Sequence, residues 1–194
     1  QNMININWQN GAESFIDAVS SSTPAPGGGA AAAVTAATGC ALAMMSVSIT
    51  IKMKATSEED KKVLNKHLDE LIVLRDALKA AAQSDAKAYE DVVRAKKLPA
   101  GSKEREGDLN RALKLSSQVP LDTAKSAMQV LEKINSFESK IAKVIMSDID
   151  CAKILLKASI ACCAQNIKAN LQYIKQEDFK SEMQESLNFL SKFC

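Results

Sequence analysis

The stretch Thr23-Pro24-Ala25-Pro26-Gly27-Gly28-Gly29-Ala30 leads into an Ala-rich run that carries no charge before Lys52. The two prolines hold the backbone extended and disfavour a helix just before the turn. The glycines permit positive φ values and let another backbone or a ligand approach closely. Because residues 30–51 predict a helix, this turn presents free N–H groups that can receive an anion or a polar ligand. A close-packed turn between two helices or two subunits is the alternative interpretation.

Length and composition indicate one helical domain. The 194 residues include only four Pro and seven Gly, and Ala, Leu, Lys, Ser and Ile are plentiful, a composition that favours helices. The 25 basic and 23 acidic side chains nearly balance, with a net charge of +2, so nothing indicates a nucleic-acid partner. We therefore expect an all-α fold, a single-domain bundle of long helices over residues 1–194.

The cysteines and the single histidine argue against a metal site. Five cysteines, at positions 40, 151, 162, 163 and 194, have neither CxxC spacing nor the Cys/His spacing of zinc ligands. No signal peptide is recognisable in the sequence. We therefore expect no metal, reduced thiols and a cytoplasmic protein.

The charge-free run between Asp17 and Lys52 is long enough to span a bilayer. It consists mostly of Ala, Gly, Ser and Thr rather than the Leu-rich sequence typical of membrane helices. A buried helix that packs closely through small residues explains it better, and we expect no membrane association. Because one thin layer of neighbours would not cover such a helix, we also expect a homodimer.

The spacing of apolar residues predicts helices along the whole chain. A short amphipathic helix is expected over residues 12–20, the Ala-rich helix over 28–54, and a very long helix up to Lys97 that Ser57 caps. Leu98-Pro99-Ala100-Gly101 ends it, and Ser102 or Lys103 begins the next helix. Val119-Pro120 predicts a kink or a new start there. Two further helices are expected over residues 147–173 and 178–193.

Polar residues on apolar helix faces are the candidates for chemistry. Asp85 continues the stripe of Leu64, Leu68, Leu71, Leu78 and Ala82 toward Tyr89 and Val92, so its carboxylate faces inward. An inward carboxylate needs a partner or a proton, and either perturbs its pKa. A salt bridge to a neighbouring helix is the structural alternative. Asn166 and Asn170 lie four apart and can read a heteroaromatic ring or satisfy backbone groups at a helix crossing.

Together these motifs resemble the formiminotransferase-cyclodeaminase C-terminal family. The resemblance covers about residues 14–175 and rests on the order and spacing of motifs that are weak singly. They are Thr23-Pro24-Ala25-Pro26-Gly27-Gly28-Gly29, Thr50 with Lys54, Asp85-Ala86-Lys87-Ala88-Tyr89, Leu98-Pro99, Val119-Pro120-Leu121, Ser147-Asp148, and Asn166 with Asn170-Leu171.

The resemblance implies an all-helical homodimer or larger assembly that acts on one-carbon forms of tetrahydrofolate. One family reaction closes 5-formiminotetrahydrofolate to 5,10-methenyltetrahydrofolate with release of ammonia. Another hydrolyses the methenyl form to 10-formyltetrahydrofolate. Neither needs a metal or a redox cofactor besides the folate substrate, and the sequence does not separate the two.

The resemblance also implies roles for individual residues. Asp85 is the first candidate for the general acid/base, and Asp148 is the second candidate or the pterin anchor. Carry-over of the motifs gives the substrate-binding candidates Gly27, Gly28, Gly29, Lys54, Tyr89, Arg105, Ser147, Asn166 and Asn170. Within this set, Lys54 or Arg105 is expected to bind the glutamate tail.

The chain departs from the family pattern in three places. The segment between Pro99 and Pro120 is shorter than usual, so Arg105 stands alone where the family has a basic pair. Ile141-Ala142 replaces a Gly-Asn pair, and Lys52-Met53-Lys54 replaces a more basic run that contains Gly. These departures bear on the tail contacts and on substrate preference. A non-catalytic helical oligomerisation or scaffold protein is the alternative function.

Overall fold

A computed structural model of the chain describes residues 11–193; the first ten residues of the predicted domain and Cys194 lie outside that range. The described residues contain no strand. They form six α-helices, α1 Ala12–Ser20, α2 Gly28–Lys52, α3 Glu58–Lys96, α4 Lys103–Phe137, α5 Met146–Leu171 and α6 Glu177–Leu190. Three short 3₁₀ turns follow α4, precede α5 and follow α6. The all-α prediction is confirmed for these residues.

Most predicted helix ends agree with the structure within two residues. Ser57 caps α3, because its hydroxyl accepts a hydrogen bond of 3.1 Å from the backbone N–H of Asp60. Ser102 caps α4 in the same way through the N–H of Arg105, also at 3.1 Å. These caps satisfy N–H groups that the helices cannot pair internally.

Of the two alternatives predicted at Val119-Pro120, a new helix start is wrong, because α4 continues through Pro120. Proline has no N–H, so the carbonyl of Ser116, four residues earlier, loses its ordinary helical donor. The side-chain amide of Asn170 on α5 donates to that carbonyl instead, at 2.7 Å. A tertiary hydrogen bond thus replaces the missing helical one and lets the helix continue.

Helix α2 is the centre of the bundle and packs mainly on α3 and α5. Near its start, the Ser159 hydroxyl of α5 donates to the carbonyl of Ala32 at 2.7 Å. Near its end, the N–H of Ala142, which precedes α5, donates to the Thr50 hydroxyl at 3.2 Å. Helices α2 and α5 are therefore antiparallel. We call the end of the bundle with the three glycines the glycine end, and the other the opposite end.

The outer face of the apolar helix α2 is only partly covered. Among the described residues it is the one helix long and apolar enough to cross a membrane, and 39% of its most apolar window is buried. Its packing on α3 and α5 is that of a core helix. Along its other face lie exposed residues without charge, namely Thr38, Ala41, Met45 and Ile49. Helix α1 has no buried residue at all.

Candidate active site

A cleft of about 390 Å³ opens at the glycine end of the bundle. Residues from the turn before α2, from α3, α4 and α5 and from the segment after α5 form its walls. We call it the glycine cleft; it is lined by Pro24, Ala25, Gly27, Gly28, Gly29, Asp85, Tyr89, Val92, Lys96, Leu113, Ser116, Asn166, Asn170 and Tyr173. Seven of the predicted site residues therefore meet in one cleft, and they come from the turn before α2, from α2, from α3 and from α5.

Asp85 is the one carboxylate that lines this cleft among the described residues. Its side chain is half-buried, and the backbone N–H of Ala30 donates to it. Burial raises the pKa of the Asp85 carboxyl, and the hydrogen bond from Ala30 offsets only part of that rise. The predicted alternative, a salt bridge to a neighbouring helix, is not formed by Asp85 in the described part of the chain.

The glycines are required for close approach rather than for unusual backbone angles. Among the described residues only Gly101 has a positive φ, so the left-handed conformation considered for the glycine turn is not used. A Cβ on Gly29 would lie within 2.6 Å of three carboxyl atoms of Asp85 and would overlap them. A Cβ on Gly28 would lie 3.4 Å from the Asn166 amide, which is an ordinary contact. Gly29 is therefore the position where a side chain would displace Asp85.

Asn166 and Asn170 lie one turn apart on α5 and both line the cleft. The Asn166 amide donates to the carbonyl of Cys162 at 2.9 Å, and Asn170 donates to the carbonyl that Pro120 frees. The contact with backbone at a helix crossing is therefore observed for Asn170, and the reading of a heteroaromatic ring stays a prediction. One N–H of each amide is engaged by backbone, and the side chains still border the cleft with further donor and acceptor capacity.

Two aromatic rings and a lysine complete the wall away from the glycines. Tyr89 lies one turn after Asp85 on α3 and is 39% exposed. Tyr173, just after α5, is 61% exposed, and the Lys96 ammonium lies 5.7 Å from its ring centroid, within range of a cation–π interaction. A flat ligand can pack against these rings while Asp85 faces its polar edge.

The structure does not bring three predicted site residues to this cleft. Ser147 and Asp148 belong to the first turn of α5, about 27 Å along the helix from Asn166. Lys54 follows the end of α2, likewise at the opposite end. Motif order in the sequence cannot reveal this separation, because it depends on the antiparallel packing of α2 and α5.

Arg105 lies near the cleft but not in it. It lines a second cavity, of about 260 Å³, that shares Leu113 and Tyr173 with the glycine cleft. Its guanidinium donates to the carbonyl of Leu98 at 3.2 Å. We call this second cavity the side cavity.

Sequence reasoning missed Lys96, Ser116 and Tyr173. A signal existed for Lys96, because it continues the helical stripe of Asp85, Tyr89 and Val92 at the next step of four. A signal also existed for Tyr173, which lies in the predicted helix over residues 147–173 and follows Asn166 and Asn170 on the same face. Ser116 had no such signal in the sequence.

The cleft offers no evident metal site or reactive thiol. The described residues contain no group of three or more His, Cys, Asp and Glu side chains that could hold a metal ion. Cys163 lies near Asp85, and burial raises the pKa of its thiol to about 12. A thiol with such a pKa stays protonated at neutral pH and is a poor nucleophile. The ionisable chemistry of the cleft therefore centres on Asp85.

Comparisons with known proteins agree with this geometry. A family model described as formiminotransferase-cyclodeaminase matches residues 11–189. A solved structure of formiminotetrahydrofolate cyclodeaminase from Thermotoga maritima is similar over 93% of this chain and 88% of that one, with 29% sequence identity and a TM-score of 0.84. The comparison with curated proteins gives no match.

Proposed function

The chain belongs to the formiminotransferase-cyclodeaminase family, and we propose that it is a one-carbon tetrahydrofolate enzyme with its active site in the glycine cleft. Its reaction is either cyclisation of 5-formiminotetrahydrofolate with loss of ammonia or hydrolysis of 5,10-methenyltetrahydrofolate. The observation that carries the proposal is Asp85, a desolvated carboxyl with no cationic partner among the described residues, in a cleft with two tyrosines and two asparagines.

In the cyclisation, N10 attacks the formimino carbon, and the C–N10 bond forms while N10 loses its proton. Asp85 accepts that proton and returns it to the amino group as the bond from carbon to that nitrogen breaks and ammonia leaves. The raised pKa suits both steps, because the carboxyl must hold a proton part of the time near neutral pH. The N–H of Ala30 keeps the carboxylate oriented between the two transfers.

The hydrolysis uses the same carboxyl in the same two roles. Asp85 accepts a proton from the water that adds to the methenyl carbon. It then donates the proton to N5 as the C–N5 bond breaks, and the hydroxyl group on the tetrahedral carbon releases its proton to solvent as the 10-formyl product forms. Both reactions therefore pass through a tetrahedral carbon next to Asp85, which is why this cleft supports either.

The other residues that line the glycine cleft can recognise the pterin. Asn166 and Asn170 offer amide oxygens and N–H groups to the polar edge of the ring. Tyr89 and Tyr173 offer surfaces for its flat face and for the p-aminobenzoyl ring. Gly28 lets the ligand approach the first turn of α2, where Gly27 supplies no side-chain cap.

We also propose that the protein acts as a homodimer that pairs through the exposed face of α2. This face is uncharged from Thr38 to Ile49, so it can meet a copy of itself without burying an unpaired charge. A two-fold axis across α2 would set the two copies antiparallel. The opposite end of one copy, with Lys54, Ser147 and Asp148, would then approach the glycine cleft of the other, which is how those residues can serve the site.

The proposed function is tested by incubating the purified protein with each substrate and following the near-ultraviolet absorbance of the methenyl form. Appearance from 5-formiminotetrahydrofolate identifies the cyclodeaminase, and disappearance from the methenyl form identifies the cyclohydrolase. Asp85→Asn is expected to lower turnover roughly 10²–10⁴-fold. Absence of both activities in the folded wild-type dimer would favour the scaffold function.

A further inference from the structure

Cys163 is a fully buried thiol on α5, and the face of α5 to which it belongs packs on the first turns of α2. On one side of it, the Ser159 hydroxyl donates to the carbonyl of Ala32 at 2.7 Å. On the other side, the Asn166 amide lies 3.4 Å from the Cβ position of Gly28. Because Cys163 is four residues after Ser159 and three before Asn166, it faces the turn of α2 between those two contacts.

That turn of α2 holds the Asp85 carboxyl. The backbone N–H of Ala30 donates to the carboxyl, and a Cβ on Gly29 would overlap it. Cys163 approaches the same carboxyl from the side of α5. Burial raises the pKa of the Cys163 thiol to about 12, and the charge of Asp85 adds to the rise. The thiol is therefore protonated at neutral pH, and an S–H group is only a weak donor.

Few other ionisable groups face Asp85 from the helices around it. Helix α2 has no charged residue before Lys52, and α4 contributes no ionisable side chain to the glycine cleft. Tyr89 on α3 and Tyr173 after α5 line the cleft. Lys96 lies eleven residues, or roughly 16 Å, along α3. Burial, offset in part by the backbone hydrogen bond, therefore decides the pKa of the Asp85 carboxyl.

We infer that Cys163 is a positioning residue for the proposed reaction: its thiol fills the space behind the Asp85 carboxyl and keeps water and strong hydrogen-bond donors away from it. The inference rests on the proposed function of the glycine cleft. A dry inner side disfavours the ionised carboxylate, so Asp85 keeps its proton to a higher pH than an exposed aspartate does. Cys163 touches no substrate in this role and acts only through Asp85.

The test replaces the thiol by a hydroxyl and follows the pH dependence of kcat/KM. Cys163→Ser places a stronger dipole behind Asp85, and the smaller oxygen leaves room for water from the cleft. Both effects favour the ionised carboxylate. The acidic limb of the profile reports the base of the free enzyme, so it should move to lower pH by about half to one unit.

Cys40→Ser is the matched control, because it makes the same change at another fully buried cysteine. Cys40 lies on α2 ten residues, or roughly 15 Å, beyond Ala30. Both variants bury a hydroxyl, so both should lower the free energy of unfolding. Only Cys163→Ser should move the acidic limb, and a merely structural role for Cys163 would not separate the two variants.

An acidic limb at the same pH in Cys163→Ser and Cys40→Ser would overturn the inference. If Cys163→Ser does not fold, Cys163→Ala takes its place, because it buries no hydroxyl and still opens the space behind Asp85 to water. Its acidic limb should move in the same direction, and an unchanged limb in this variant would also overturn the inference.

Failure of the proposed function gives a different result. If the wild-type protein turns over neither folate, the proposed function fails, and the effect of Cys163 is then measured on the carboxyl group itself. Titration of the Asp85 carboxyl carbon by NMR compares the wild-type, Cys163→Ser and Cys40→Ser proteins, and Asp85→Asn identifies the resonance. A lower midpoint in Cys163→Ser alone supports the effect, and equal midpoints in all three proteins refute it.

Discussion

Replacing Gly29 by Ala should damage the active site with little damage to the fold. The new methyl group would overlap the Asp85 carboxyl, whose atoms lie within 2.6 Å of the Cβ position, whereas ordinary contact begins at 3.4 Å. The carboxylate must therefore retreat by about 1 Å or more and lose its hydrogen bond from Ala30. A displacement of about 1 Å at a catalytic group costs on the order of 10² in rate.

The effect on stability is smaller because two contributions oppose each other. Overpacking at a closely packed contact costs about 1–3 kcal/mol. Replacing Gly by Ala in a helix returns up to about 1 kcal/mol. We therefore expect the free energy of unfolding of Gly29→Ala to fall by roughly 0–2 kcal/mol, which a denaturant titration measures.

Gly28→Ala is the matched control, because it introduces the same methyl group one residue earlier in α2. Its Cβ makes only an ordinary 3.4 Å contact with the Asn166 amide, and its backbone has no positive φ. We expect kcat within about threefold of wild type, a raised KM because the new methyl group narrows the ligand's approach to α2, and a gain in stability of up to about 1 kcal/mol. If both variants turned over equally fast, the placement of Asp85 by Gly29 would not matter and the proposed chemistry would be refuted.

Three further predictions concern the carboxyl, the proline and the dimer. Burial raises the pKa of the Asp85 carboxyl in the folded protein, so its contribution to stability is present below the unfolded pKa and is lost as pH rises through the folded pKa. Asp85→Asn should therefore gain stability relative to wild type as pH rises above about 4, measured by denaturant unfolding. Pro120→Ala supplies a helical N–H to the Ser116 carbonyl, so the melting temperature should stay the same or rise. The new N–H displaces the Asn170 amide from that carbonyl, so the Asn170 side chain is held less firmly and KM should rise about two- to tenfold. Met45→Glu should yield monomers by light scattering, whereas Val73→Glu, an equally drastic change on exposed α3, should not. If the sites are shared, mixed Asp85→Asn and Asp148→Asn proteins should recover about a quarter of wild-type activity after subunit exchange.

The helices were predictable because their signals are local. Apolar spacing, the capping serines and the Pro/Gly stretch at residues 98–101 all act within a few residues, and the observed bounds follow them. The new helix start considered at Pro120 was wrong for the opposite reason. A proline breaks an isolated helix, but here a side chain 50 residues later supplies the missing donor. No rule based on neighbouring residues predicts that contact.

The site was predictable in part. Residues with a local signal in the sequence could be found, whereas their positions relative to one another could not. Asp85, Asn166 and the glycines were found because each stands out on its own helix face or turn. Their meeting point depends on the packing of α2 between α3 and α5. That packing also carries Asp148 to the other end of the bundle, although Asp148 and Asn166 belong to one helix.

The start of α2 bears on the proton transfers that we propose for Asp85. Gly27 offers no side-chain cap and the first turn of α2 has no acidic residue, so the helix takes its anionic partner from α3. When Asp85 is ionised, it gains the N–H of Ala30 and the helix dipole but suffers from desolvation. When Asp85 is protonated, it avoids the cost of burying a charge. It then loses much of its interaction with the N–H of Ala30 and with the helix dipole. Desolvation is the larger contribution and raises the pKa of the Asp85 carboxyl, so this group holds its proton to a higher pH than an exposed aspartate does, as the proposed acid/base role requires.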